Sequence, residues 1–529
     1  MNLLIFTLSF LWFLRTVKAV LFWIYLWQLK EYHVGRFIDH FRTEKGKKLI
    51  FGVLQLLKII LLVLIFKENY LFYALLIFYI SESVLFIYGI IKKQFKRPVL
   101  TSKTALLIIV SILFTLIYLF IVQKYKNVVI WFLIFDILTP LIVSCVVLFF
   151  QPFFIMMRNS ILEKAKSKIK KFKILTVIGI TGSYGKTSTK EFLTTILSEK
   201  FNVLSTPEHK NSEIGIAQTI LNNLNEKHQV FVVEMGSYNK GGIKLLCDIV
   251  KPKMGIVTGI NSQHLSLFGS IQNLFFAEGG LELLESLPKN GLFIINGDNK
   301  YCVNLYKNTR RNKKFYTTNG NIIDSDIWAE EISINKNSLD FVAVLKNREL
   351  AHFNVNVLGG HNIQNLLGAI LLAKELGMSL EEISKACKKI KSKQAGIILK
   401  KGIYGIDVID SSYSSNPDGV MAHLDHLNTW KGKKIIIMPC LIELGEKSGE
   451  IHMEIGKKIA KVCDMAIITT KDKFRDIVKG ASLVNYNSKI IFSEKPKEIL
   501  SLVTTFCKEG DAVLLEGRVP SELTKLLIK

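Results

Sequence analysis

The sequence predicts an α-helical membrane domain followed by an α/β region built around a phosphate-binding loop. Three observations carry that expectation. Long apolar runs fill roughly the first 150 residues. After Lys173 the texture changes to short apolar runs alternating with helical periods and Gly-rich turns, the signature of a parallel sheet covered by helices. At that change stands "ITGSYGKTSTKE", Ile180 to Glu191, a Gly-rich turn between a predicted strand and a predicted helix.

The membrane domain is expected over residues 1–157, with about five transmembrane helices. Apolar runs over 49–66, 69–91, 104–122 and 128–151 each approach the ~20 residues needed to cross the hydrocarbon core. A fifth run, 3–28, carries Arg15 and Lys18 near its middle; it is longer than a signal-peptide core and lacks a small-residue cleavage site. The loops 29–48 and 92–103 and the segment after the last run are rich in Lys and Arg. The alternate loops hold only Lys67 in one and Lys124 and Lys126 in the other. By the positive-inside rule, five spans put the amino terminus outside and everything after residue 158 in the cytoplasm, a multi-pass protein of the cell membrane. Lys58, Glu82 and Asp136 interrupt the runs; each reads either as a functional group or as one half of a helix–helix pair. The loop "WQLKEYHVGRFIDHFR" suits an interfacial helix in contact with lipid headgroups.

The net charge of +25 suggests nucleic acid at first sight. Residues 1–173 hold 24 Lys/Arg against 7 Asp/Glu, a net of +17, which leaves +8 for the remaining 356 residues. The basicity belongs to the membrane part, so no nucleic-acid partner is expected. Seven scattered cysteines, with no CxxC pair, read as reduced cytoplasmic thiols rather than zinc ligands.

A basic linker helix is expected over 158–173, and a central domain over 174–395. "KILTVIGI" is its first strand, "TGSYGK" the turn and "TSTKEFLTTILSEK" the helix. "HQVFVVEMG" ends in Glu234, and "KMGIVTGI" runs into "NSQHL" with His264. Such sheets bind ligands at the carboxyl edge of their strands. Gly182 and Gly185 let the backbone approach phosphate, the first amides of the helix face the anion, Lys186 supplies a cation and Thr187 a hydroxyl for Mg²⁺. Ile180 takes the first-Gly place of the strict GxxxxGK[ST] spacing. A carboxylate at Glu234 and an imidazole at His264, each at a strand end beside that loop, make a divalent-ion site.

"GITGSYGKTSTKE", "VVEMG", "TGINSQHLSLFGS", "INGD", "GGHNIQNLLGAI", "IDSSYSSNP" and "IELGE" follow one another here. In that order they resemble the Mur ligase family of ATP-dependent amide-forming enzymes, and within it the branch that adds D-alanyl-D-alanine to the peptidoglycan precursor. The resemblance covers roughly 174–529 and implies a Rossmann-like carboxyl-terminal domain over 396–529. It also implies an acyl phosphate formed from a substrate carboxylate and ATP, from which an amine displaces phosphate. By the same resemblance, the ATP site comprises Gly182, Ser183, Tyr184, Gly185, Lys186, Thr187 and Ser188, with Asn362 and Asn365 towards adenine and Asp410 reaching the nucleotide from the last domain. Lys186, Glu234 and His264 are the implied catalytic residues; Thr187, Glu234, His264 and Glu278 are the implied Mg²⁺ residues.

The chain departs from the family pattern at several places. Glu278 stands where relatives carry a carbamoylated Mg²⁺-binding lysine; the alternative is an ordinary helix acid like Glu282 and Glu285. Ile397 replaces an arginine, Ser411 an acid, Ser414 an asparagine, Pro439 and Cys440 a Gly-Asp pair, and Glu516 a lysine. The largest departure is the membrane domain, standing where relatives hold a uridine nucleotide sugar. The expected activity is therefore membrane-anchored ligation of an amino acid or dipeptide to a cell-envelope precursor that is either lipid-linked or delivered by a membrane partner. The rival readings are a membrane-bound synthase resembling those of poly-γ-glutamate, and a nucleotide-binding scaffold without turnover. The topology has a direct check: a reporter fused after Lys103 is expected in the cytoplasm and one after Lys126 outside, and the same side for both ends the five-span reading.

Overall fold

The computed structural model describes residues 2–65, 71–92, 95–125, 127–208, 210–237, 239–261, 268–307, 309–320, 324–412, 415–484 and 488–528. The chain forms two units, Met1–Asn159 and Ser160–Lys529.

The first unit is helical: α1 (Asn2–Leu29), α2 (Val34–His40), α3 (Glu44–Phe51), α4 (Val53–Ile65), α5 (Leu71–Ile91), α6 (Ser102–Val122) and α7 (Val128–Ile169), within which the division between units falls. Among the described residues, α1, α5, α6 and α7 contain stretches long and apolar enough to cross a membrane. The uninterrupted run expected over 49–66 is not what forms. Thr43 caps α3 through the Gly46 amide, α3 stops at Gly52, whose backbone is extended, and α4 restarts as a 13-residue helix. At 1.5 Å per residue its described part is about 20 Å long.

Aromatic contacts tie the unit together. Trp12 stacks on Phe132 at 4.5 Å and its indole donates to the Phe132 carbonyl. Trp27 stacks on Phe37 at 3.9 Å and donates to the Ser144 hydroxyl. Of the ionisable residues inside the apolar runs, Arg15, Lys18, Glu82 and Asp136 are paired. The Arg15 guanidinium donates to Asp136, Tyr79 donates to the other Asp136 oxygen at 2.9 Å, and Lys18 lies 3.6 Å from Glu82. Asp136 and Arg15 are almost wholly buried. Lys58, buried on α4, sits within electrostatic reach of these four charges. Pairing, one of the two readings open from sequence, therefore accounts for Glu82 and Asp136, with Arg15 and Lys18 as partners.

The second unit carries two sheets. Nine strands, β1 (Thr176–Thr181), β2 (Val203–Ser205), β3 (Val230–Glu234), β4 (Met254–Val257), β5 (Leu292–Asn296), β6 (Lys313–Thr317), β7 (Ile327–Ile334), β8 (Leu339–Leu345) and β9 (Leu350–Val355), lie in the order β2-β3-β1-β4-β5-β6-β7-β8-β9. Pairing is parallel through β7 and antiparallel from β7 to β9. A second sheet of β10 (Ile398–Lys401), β11 (Asp407–Ser411), β12 (Lys434–Met438), β13 (Met465–Ile468), β14 (Lys489–Phe492) and β15 (Ala512–Glu516) has the order β10-β11-β15-β12-β13-β14, parallel except for the β10 edge.

The central strands are buried on both faces, which is why they read as continuous apolar runs. Helix α8 (Lys186–Leu197) buries Thr189, Lys190, Phe192, Leu193, Ile196 and Leu197, a helical stripe against the sheet. The helix Asn362–Glu375 is buried nearly all round. One apolar core runs from Ile178 through Leu367 on this helix to Ile409 and Leu514. Six of the seven cysteines are buried, Cys145 is exposed, and none is paired.

The Arg15–Asp136 pair makes a quantitative expectation. Asp136→Ala leaves the buried Arg15 guanidinium with only the more distant Glu82 carboxylate, at 3.9 Å, and should cost about 3–5 kcal/mol, whereas Arg15→Met with Asp136→Leu should recover most of that loss. Thermal unfolding of the detergent-solubilised variants measures both.

Candidate active site

The Gly-rich turn closes directly after β1. Gly182 has φ +141° and Gly185 +71°. A Cβ on Gly182 would lie 2.1 Å from the Thr258 hydroxyl, and one on Gly185 2.4 Å from Asn365 Oδ1, so both positions require glycine by space as well as by backbone. Gly185 is the N-cap of α8, and no side chain caps that helix. Its first-turn amides are left for an anion, with the helix dipole favouring negative charge there.

The Ser183 amide is held by the Gly259 carbonyl at 2.8 Å, Thr258 donates to the Tyr184 carbonyl, and the Tyr184 hydroxyl accepts from Asn299 at 3.1 Å. Lys186 folds back so that its ammonium meets the Gly182 carbonyl. Thr187 and Ser188 lie half-buried in the first turn of α8. The hydroxyls of Thr181 and Ser183 are buried with no hydrogen-bond partner among the described residues. Glycines that leave no room for a side chain, an uncapped helix start and two unpartnered hydroxyls fit a bound phosphate group.

Glu234 stands at the carboxyl end of β3, in register with Ile180 on β1 and therefore beside the loop. One carboxylate oxygen accepts from Asn211 at 2.9 Å and the other lies 3.7 Å from the Lys190 ammonium. Lys190 is completely buried, donates to the Thr206 carbonyl and pairs with Glu191. Sequence reasoning missed Lys190 and Asn211. The available signal was a lysine on the apolar stripe of α8, among Thr189, Leu193 and Leu197.

His264 and the neighbouring residues 262–267 fall outside the described residues, as does Ser414. Glu278 is buried on the turn between the helices Ile271–Phe276 and Leu281–Ser286. Two residues later Gly280 approaches the Thr181 methyl, so this turn packs at the carboxyl end of β1. Glu282, expected as an ordinary helix acid, is also buried: its carboxylate takes the Gly241 and Lys244 amides at 2.6 and 2.8 Å, capping the helix Gly242–Val250.

Asn362 and Asn365 are joined, the Asn365 amide donating to Asn362 Oδ1 at 2.9 Å, while Asn365 Oδ1 takes the Thr189 hydroxyl at 3.3 Å and covers Gly185. Asn365 thus lies against the phosphate loop. Asp410, next to last in β11, accepts from Lys400 at 2.8 Å and from the Ser412 hydroxyl at 2.6 Å. Burial alone would raise the Asp410 carboxyl, but these hydrogen bonds outweigh it and hold it below its ordinary value. Lys400 also lines a cavity of about 440 Å³, with Asn356, Ser392 and Asp407 on its walls. That is the size range of small-molecule sites. Of the positions that depart from the family pattern, Ile397 is a fully buried core residue, Cys440 is held by Thr470 and the Lys473 amide, and Glu516 is fully buried against His423.

A phosphate loop on a parallel sheet, followed by a second parallel sheet in the same unit, defines a nucleotide-binding α/β enzyme. Residues 180–373 match the Mur ligase middle domain, and residues 398–519 match the Mur ligase glutamate ligase domain. The UDP-N-acetylmuramoyl-tripeptide--D-alanyl-D-alanine ligase of Synechocystis is 30% identical over 349 residues, which is 65% of this chain and 72% of that protein. The ligase of the same name from Bacillus subtilis is 27% identical over 67% and 76%. The structure of the MurF ligase from Thermotoga maritima in complex with ADP superposes with a TM-score of 0.60 over 70% of this chain and 83% of that one, at 24% identity. The chain belongs to the Mur ligase family, ATP-dependent and ADP-forming amide ligases, and within that family it is MurF-like.

The helix start at Asn362 carries a pH dependence. Burial, with help from His423 and His426, pushes the His361 imidazole down to about 3. The unfolded chain takes up a proton near the ordinary histidine value of ~6.5 that the folded chain refuses, so stability is constant above that pH and falls as pH drops below it. Between pH 6.5 and 5 the wild type should lose about 2 kcal/mol that a His361→Gln variant keeps. Denaturant titrations at the two pH values test this.

Proposed function

We propose that this chain is a membrane-anchored ligase whose catalytic domains face the cytoplasm. It joins an amino acid or dipeptide to the carboxylate of a peptidoglycan-type cell-envelope precursor, using ATP and Mg²⁺. One observation carries the reading: the phosphate loop, with Lys186 and Thr187 at its helix, lies beside the strand end that delivers Glu234. The similar proteins that take their name from a UDP-N-acetylmuramoyl-tripeptide and D-alanyl-D-alanine support that pair as the chemical class of the two substrates. The four long apolar helices support the membrane location.

In this reading the amides of Gly182, Ser183, Tyr184 and Gly185, with Lys186 and Ser188, hold phosphate, while Thr187 and Glu234 hold the first Mg²⁺. His264 and Glu278 serve a second Mg²⁺, Asn362 and Asn365 border the adenine side, and Asp410 meets the nucleotide from the second sheet. ATP supplies the phosphoryl group that turns the substrate carboxylate into an acyl phosphate, from which the amine displaces phosphate. Such a transfer gathers anionic oxygens, and Lys186 with carboxylate-held cations offsets their repulsion. Lys190 sits behind Glu234 and helps to orient that carboxylate. With the helical unit in the place of a uridine-nucleotide domain, the precursor is either lipid-linked or handed over by a membrane partner.

The test is ADP release by the detergent-solubilised chain, offered D-alanyl-D-alanine with a lipid-linked muropeptide or its uridine nucleotide form. The lipid-linked form should be the faster substrate, and Lys186→Ala should abolish turnover while leaving the circular dichroism unchanged. Undiminished turnover in Lys186→Ala would remove the site assignment. Equal rates on both forms after deletion of residues 1–157 would reduce the helical unit to an anchor.

A further inference from the structure

A buried carboxylate–imidazole pair lies where the second sheet meets the helix that borders the phosphate loop. Glu516, the last residue of β15, is fully buried, and one of its oxygens lies 2.6 Å from His423 Nδ1 on the helix Pro417–Leu427. The His423 ring packs edge to face on His361, 5.3 Å between centroids, at the N-cap of Asn362–Glu375. His361 Nε2 is 3.2 Å from the Asn362 amide nitrogen.

The direction of that last contact is fixed. Asn362 Oδ1 accepts from Asn365, and its amide nitrogen donates both to the Leu358 carbonyl at 2.7 Å and to the ring, so His361 Nε2 must present a lone pair. The chain then runs without a break to the phosphate loop, since Asn365 Oδ1 takes the Thr189 hydroxyl and blocks the space above Gly185.

The pair is not there to satisfy its own polar atoms. The second Glu516 oxygen and His361 Nδ1 are both buried with no hydrogen-bond partner among the described residues, and each such atom costs about 1–3 kcal/mol. A buried carboxylate retained at that cost, next to a directional chain that ends on the loop, acts through the chain.

We propose that Glu516 and His423 are positioning residues of the nucleotide site. The carboxylate fixes the His423 ring, His423 fixes the edge of His361, and His361, together with the Leu358 carbonyl, orients Asn362 and therefore Asn365 over Gly185. The inference rests on the reading of the Gly182–Lys186 loop as the nucleotide site.

ATP titration of the full chain in detergent, followed by ADP-release kinetics, tests it. Glu516→Gln is nearly isosteric and His423→Phe keeps a ring. Each should weaken ATP binding about five- to tenfold, the worth of one or two oriented hydrogen bonds, with kcat at saturating ATP within about twofold of wild type. His361→Gln keeps an acceptor for Asn362 and should retain wild-type affinity, whereas His361→Phe should lose it by the same factor. In a His361→Phe background, Glu516→Gln should weaken binding no further. Wild-type ATP affinity in Glu516→Gln, or independent additive losses in the double variant, overturns the proposal. The double-variant comparison decides alone where His423→Phe does not fold. Absence of ATP binding by the wild type removes the nucleotide-site reading itself, a different failure that Lys186→Ala also registers.

Discussion

An ionised carboxylate taken out of water costs several kcal/mol unless a cation or donors follow it in, and this chain meets that constraint in each of its layers. In the helical unit Asp136 is buried with Arg15 and Tyr79. Beside the phosphate loop, Glu234 is buried with Asn211 and the fully buried Lys190. In the second sheet Glu516 is buried with His423. Every partner comes from a different element, so each pair also fixes how two elements meet. Removing one member leaves a buried polar group without its partner, which is why these positions act as joints rather than as decoration of the core.

The loop obeys a second constraint, one of space. Gly182 and Gly185 are confined by Thr258 and Asn365, and those two side chains come from β4's end and from the helix Asn362–Glu375. The cradle is thus shaped by parts of the chain far away in sequence. The same helix is buried almost all round, in an apolar core that also holds residues of both sheets.

What could be read from sequence was local. The order strand, Gly-rich turn, helix is written in consecutive residues, and so was the strand end at Glu234, whereas the next strand stops at Val257 instead of running on to Ile260. What could not be read depended on distance along the chain. Arg15 looked like a defect in an apolar run because its carboxylate lies 121 residues away, and Glu516 looked like a lost lysine because its imidazole lies 93 residues away. Gly52 stopped a run that hydropathy alone treats as continuous, since hydropathy carries no backbone angle. Glu282 passed for a solvated helix acid because its role as a cap belongs to the start of another helix.

The distribution of cysteines has a practical consequence. Six thiols are buried, and the one exposed thiol, Cys145, lies on α7 among apolar neighbours such as Leu141 and Phe149 that are themselves exposed. The native chain is therefore a ready-made single-attachment substrate for a spectroscopic label, with no cysteine needing to be engineered away. A spin or fluorescent probe placed there reads the polarity around one turn of one helix, and the surrounding medium becomes measurable from a side chain the protein already has.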